Sequence, residues 1–193
     1  MKHRKISGAV AVIAIAIGIL ALAASASATT VTGPSGETTP TIHMVNEGSH
    51  VETHNAIVNI QCNATLEGTV SSHGSGVTVK VALSAFQLTN CTNEWVVDVS
   101  TPGSLEIHFK EAGSGHGVGT VTWTGARFTF TRAGLSCVYE TNNTSIGTLS
   151  GGTPATLGIS ASIPRVGGSF LCGGATSAWT GSFVTTKTLK IDS

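Results

Sequence analysis

A two-residue alternation of apolar and polar side chains recurs along most of this chain and limits what it can fold into. Leu105, Ile107 and Phe109 alternate with Glu106, His108 and Lys110, and Val77, Val79 and Val81 alternate around Thr78 and Lys80. Phe128 and Phe130 are set among Arg127, Thr129 and Thr131, and Leu157, Ile159, Ala161 and Ile163 among Gly158, Ser160 and Ser162. Successive side chains of a strand point to opposite faces, so each run is a strand with one buried and one wet face. Beyond the N-terminal apolar run, no stretch has the period of an amphipathic helix. Breaks at Thr101-Pro102-Gly103, Asn142-Asn143, Gly151-Gly152 and Gly173-Gly174 separate the runs.

The expected fold class is all-β. One wet and one dry face per strand means two packed sheets or one sheet closed on itself. Short, numerous strands with turns every ~8–12 residues favour an antiparallel β-sandwich. A membrane barrel needs girdles of aromatic residues, and aromatic residues are only 5% of this chain.

The N-terminus places the chain outside the cytoplasm. Lys2, His3, Arg4 and Lys5 precede an apolar run from Ile6 to Leu22, and Ala26-Ser27-Ala28 supplies the small residues of a cleavage site. Residues 1–28 therefore read as a secretory signal peptide, leaving no membrane span after cleavage. Removal takes three basic side chains and no acid, which leaves seven Lys+Arg against ten Asp+Glu, a net charge of −3. So mild an acidity offers nothing to nucleic acid. Residues 29–40 hold Pro34, Gly36 and Pro40 among small polar residues and read as a flexible leader. The β-domain is expected over 41–193.

Four cysteines, Cys62, Cys91, Cys137 and Cys172, remain in the exported part. Four cysteines allow three pairings. Cys62–Cys91 with Cys137–Cys172 is expected, because each pair then brackets one strand–loop–strand excursion. None lies close enough to another for a C-x-x-C redox or metal motif. Trp95 follows the first pair and Trp179 the second, and each half ends on Leu-x-Ile, at Leu105-Glu106-Ile107 and Leu189-Lys190-Ile191. An internal duplication, with pseudo-repeats at about 56–110 and 126–193, accounts for this order.

Three stretches carry a likeness to known proteins. They are Phe86-Gln87-Leu88-Thr89-Asn90-Cys91-Thr92, Gly134-Leu135-Ser136-Cys137-Val138-Tyr139, and Phe170-Leu171-Cys172 with Ala178-Trp179-Thr180-Gly181-Ser182-Phe183. The chain resembles a group of small secreted actinobacterial β-proteins with no assigned activity. It has a thinner likeness to the secreted activators of alkane oxidation, through the signal peptide and a Cys-flanked, Thr-rich β-segment. The resemblance implies structural cysteines and tryptophans and no site residues.

Candidate chemistry is sparse. His50, Glu52 and His54 would share one face of a strand, and imidazole with carboxylate can hold zinc or copper. A solvated strand is the simpler reading, with a bend near Asn55 to keep these groups out of the core, so no metal and no cofactor is expected. No G-x-S-x-G elbow occurs, and the only aspartates are Asp98 and Asp192. A hydrolase is therefore the least favoured function. The expected function is a non-catalytic secreted or cell-surface protein that binds an envelope component or glycan, or assembles with itself. The alternative is a module for an apolar or carbohydrate ligand, using Trp95, Trp123 or Trp179. Lys187 and Lys190 mark the last strand as a guarded sheet edge.

Overall fold

A computed structural model describes residues 30–47, 50–55, 59–73, 78–111 and 117–192. The expected signal peptide and its cleavage site lie outside these residues. The described residues form β1 (Thr30–Thr32), β2 (Thr41–Asn46), β3 (Val51–His54), β4 (Asn59–His73), β5 (Thr78–Thr89), β6 (Val96–Thr101) and β7 (Ser104–Glu111). They continue with β8 (Val118–Thr124), β9 (Arg127–Arg132), β10 (Leu135–Glu140), β11 (Thr144–Ser150), β12 (Thr156–Gly168), β13 (Thr176–Thr185) and β14 (Lys190–Asp192). Two 3-10 turns, Thr92–Glu94 and Phe170–Cys172, interrupt the strands.

Several strands are halves of longer ones. Thr101 of β6 faces Arg127 of β9 and Ser104 of β7 faces Thr124 of β8, so after a bulge between Val99 and Thr101 both pairs follow one continuous register. Glu140 faces Arg127 and Thr144 faces Trp123, which joins β10 and β11 in the same way alongside β9 and β8. Both β10 and β11 then run along the single strand β12. At Pro102-Gly103, Gly125-Ala126 and Thr141–Asn143 the chain therefore kinks and continues without reversing.

The three kinks lie side by side and form a crease across the sheet. The Gly125 amide donates to Thr141 O at 2.8 Å and the Thr141 amide to Ala126 O at 2.9 Å. The buried Thr141 hydroxyl accepts from the Ala126 amide at 2.9 Å, and the Trp123 indole N–H donates to Pro102 O at 2.8 Å. These bonds replace ladder bonds that the kinks remove. Gly103 has φ +73, and a Cβ there would lie 2.3 Å from Thr124 O, so only glycine fits.

Counted as continuous strands, the sheet has eight. Its closing strand is β2 followed in line by β3. Met44 pairs with Leu66 on one side and Thr185 on the other, and Thr53 likewise with Ile60 and Trp179. At the break between them, Asn46 Oδ1 accepts from the Ala64 amide at 2.9 Å and the Glu47 amide donates to Ser182 O at 2.8 Å. The all-β expectation holds, but the sandwich is corrected to an eight-stranded antiparallel barrel. Alternation sends every second side chain inward in both architectures, and the breaks that suggested reversals at 101–103 and 142–143 are kinks.

Closure is incomplete above the crease. The β5–β7 ladder ends at Ala82–Ser104, with a last bond from the Leu83 amide to Gly103 O at 3.3 Å. Beyond it, β6 pairs with β9 alone and forms a free edge of the sheet. Asp98 is exposed at its centre, and a charge there disfavours uncontrolled strand addition.

The core has two layers. Below the crease Ile42, Met44, Leu66, Val81, Ile107 and Leu157 surround a cavity of about 10 Å³, room for at most one water. An eight-stranded barrel is narrow enough for its own side chains to fill. Around the crease sits an aromatic layer: Phe86 packs edge-on against Trp123 at 5.0 Å, and Phe128 lies 4.8 Å from Trp179. Such contacts contribute about 0.5–1.5 kcal/mol each beyond area burial.

Residues 29–40 are not a free leader from Thr30 onward. Strand β1 pairs with β14 through Val31–Ile191, and Val31, Gly33 and Pro40 are buried. The last strand is thus half of a two-stranded ribbon and not an edge of the barrel. Leu189, just before it, reaches the small cavity and covers the lower end. The bend expected near Asn55 is a hairpin instead: Val51 faces Cys62 and His54 faces Asn59, so Glu52 and His54 point outward without strain.

If the crease depends on Thr141, replacing it with Val keeps the shape and leaves the Ala126 amide buried without a partner. Urea unfolding should show a loss of about 1–3 kcal/mol, with Thr141→Ser close to the parent.

Candidate functional site

Above the crease, four separate segments converge on the mouth of the barrel. Asn59 opens β4, Asn93 and Trp95 belong to the first 3-10 turn and its exit, Arg132 and Leu135 flank the β9–β10 hairpin, and Leu171 sits in the second 3-10 turn. Together they line a pocket of about 320 Å³. That is the lower end of the range for small-ligand sites, which favour barrel mouths.

Each wall has a local cause. Arg132 and Leu135 pair across a two-residue loop in which Ala133 and Gly134 both have positive φ, the geometry of a tight hairpin turn. In the second 3-10 turn the Ser169 hydroxyl accepts from the Leu171 amide at 3.2 Å, and the Ser169 amide donates to Ser136 O at 2.7 Å. The Arg165 guanidinium donates to Ser169 O at 3.0 Å. In the first, the Gln61 amide donates to Thr92 Oγ1 at 3.1 Å.

Both disulfides pin these turns. Cys62 of β4 is bonded to Cys91 beside the first turn, and Cys137 of β10 to Cys172 within the second, as the bracketing argument expected. Each bridge closes one long hairpin, 29 residues apart in the first case and 35 in the second. Closing loops of this size stabilises by roughly 3–4 kcal/mol each in the chain-entropy model. The pocket walls are therefore held on a rigid frame.

Exposed apolar side chains gather on the same half of the molecule as the pocket. Phe170 is 87% exposed at the tip of the second turn, and Leu171, Val96 and Val166 are exposed on the same half of the molecule. Of the large apolar side chains exposed among the described residues, only Val118 lies elsewhere. Large exposed apolar groups gathered at one end mark interaction surfaces more often than scattered ones do.

The three tryptophans have different roles. Trp123 and Trp179 are fully buried in the aromatic layer, where no ligand can reach them. Trp95 is 7% exposed, and that exposed part belongs to the pocket wall. Arg132, Asn59 and Asn93 were not among the sequence candidates. They come from distant segments and carry no motif, so only the fold brings them together.

The other candidate chemistry disperses. Glu52 Oε1 accepts from Gln61 Nε2 at 2.5 Å, while His50 and His54 are exposed. Among the described residues no group of three His, Cys, Asp or Glu side chains converges as a metal site would require. On the outer barrel wall Thr78 Oγ1 lies 3.1 Å from His108 Nδ1, and His108 Nε2 lies 3.2 Å from Glu106 Oε1. This row is cross-strand pairing, because Thr78 faces His108 and Lys80 faces Glu106 in the ladder.

One buried polar contact ties the upper half together. Asn55 Nδ2, after β3, donates to the Tyr139 hydroxyl of β10 at 2.9 Å. Burial raises the Tyr139 phenol above its ordinary value of 10.0, partly offset by that hydrogen bond and by Arg165. A raised folded value means the unfolded chain ionises first as pH rises. The contribution of this group is therefore fully present below pH 10 and should be lost above it, a fall that Tyr139→Phe should reduce in pH-dependent unfolding.

The chain matches no family model, no curated protein and no solved structure.

The frame and the exposed apolar side chains should respond differently to mutation. Replacing Cys137 and Cys172 together with Ser should lower the unfolding free energy by about 3–4 kcal/mol. Phe170→Ser should leave it within about 0.5 kcal/mol, both measured by denaturant titration.

Proposed function

We propose that this chain is a secreted, non-catalytic binding protein of the cell surface, acting through the mouth end of its barrel. The carrying observation is Phe170, almost fully exposed on a turn tied down by Cys137–Cys172 and set beside the Trp95 pocket. An exposed apolar knob on a rigid frame loses little conformational entropy on docking, which favours binding. The N-terminal signal sequence supports export, and two disulfides suit an oxidising compartment. The likeness to small secreted actinobacterial proteins supports the same setting. A cell-envelope component is the partner this reading favours, ahead of self-assembly, because the free edge at β6 carries Asp98.

Internal duplication belongs to the same reading. In both halves a cysteine near the start of a long strand is bonded to one at the 3-10 turn that ends the return strand, beside it for Cys91 and within it for Cys172. Two copies of that plan put two stapled turns at one mouth.

Capture of the purified mature protein on isolated cell envelopes tests the proposal. The parent should be retained, and Phe170→Ser with Leu171→Ser should reduce retention at least tenfold without changing the melting temperature. Equal retention of parent and variant would overturn it.

A further inference from the structure

We infer that the Trp95 pocket is a subsite for a carboxylate-bearing sugar unit, an inference that rests on the mouth of the barrel being the binding end. Three kinds of group meet there. Trp95, Leu135 and Leu171 supply apolar surface, Asn59 and Asn93 supply carboxamides, and Arg132 supplies the only charge in the lining among the described residues. A sugar ring presents apolar C–H faces and hydroxyls around its edge. Indole and leucine suit the faces, and carboxamides, which both donate and accept, suit the hydroxyls.

Arg132 selects the charge. Arg127 is paired with Glu140 at 2.6 Å, and Arg165 donates to Ser169 O. The Arg132 side chain, by contrast, has no hydrogen bond or ion pair among the described residues and is exposed at the pocket. Among the described residues no Asp or Glu lines the pocket to neutralise it. A planar guanidinium with free donors matches a carboxylate through two parallel hydrogen bonds. In a chain with few charges and a mildly acidic mature balance, an unpaired arginine beside an indole and two carboxamides is the most selective feature of the surface. The volume of about 320 Å³ suits a ring or two and not a long chain within the pocket.

Calorimetric titration of the mature protein at fixed salt tests this, with oligogalacturonate of defined length against the same oligomer fully methyl-esterified. The esters keep the rings and remove the charge. The acid should bind at least tenfold more tightly than the ester. Arg132→Gln should abolish that difference, and Arg132→Lys should restore part of it, with melting temperatures unchanged. Equal binding of acid and ester by the parent, binding of neither, or an undiminished preference in Arg132→Gln would overturn the assignment. If it is overturned while envelope capture still depends on Phe170 and Leu171, the binding end stands and only the ligand class falls. If capture is indifferent to those residues as well, both fall.

Discussion

The hydrogen bonds of the crease, centred on buried Thr141, govern how the rest of this barrel is built. Three long strands kink there together, and each kink removes ladder bonds that must be replaced inside an apolar interior. The Thr141 hydroxyl and backbone, the Gly125 amide and the Trp123 indole make the replacement. Because the kinks are aligned, β6, β9 and β10 remain paired in line with β7, β8 and β11, with one-residue bulges between Val99 and Thr101 and between Ser145 and Gly147 near the crease.

The crease also divides the barrel by function. Below it the sheet is closed, aliphatic and filled, and the β1–β14 ribbon lies over the end. Above it β6 leaves β5, the walls part, and aromatic side chains fill the wider space. Phe128 and Phe130 of β9 reach across to Trp179 of β13, which keeps the parted walls together. The mouth would be the weakest part of such a fold. It is instead where both disulfides lie, and each restrains one 3-10 turn of the pocket wall. Stability and presentation thus come from the same bridges.

Much of this was legible in the sequence, for definite reasons. Alternation located the strands and most of the inward positions, because a strand with one wet face must alternate. The cysteine pairing followed from the hairpins each pair brackets. The barrel was not legible, since Pro102-Gly103 and Asn142-Asn143 use the same residue types for a kink as for a reversal, and only long-range pairing tells them apart. The role of residues 30–40 was hidden for a similar reason: three residues of β1 are held by a partner strand at the far end of the chain. Of the three candidate tryptophans, two are buried in the core and only Trp95 lines the pocket. Arg132 and the two asparagines gave no local signal, because their meaning lies in their meeting.

The account's central claim is the aligned crease, with a barrel closed below it and open between β5 and β6 above. Cross-strand nuclear Overhauser effects in the labelled mature protein test it most directly. The account predicts backbone contacts on both sides of the crease, Val97 with Phe130 and Leu105 with Trp123, and no backbone ladder between Ala85–Thr89 and β6. A ladder between those segments, or Thr144–Ser150 turning back to pair with β10, would contradict it.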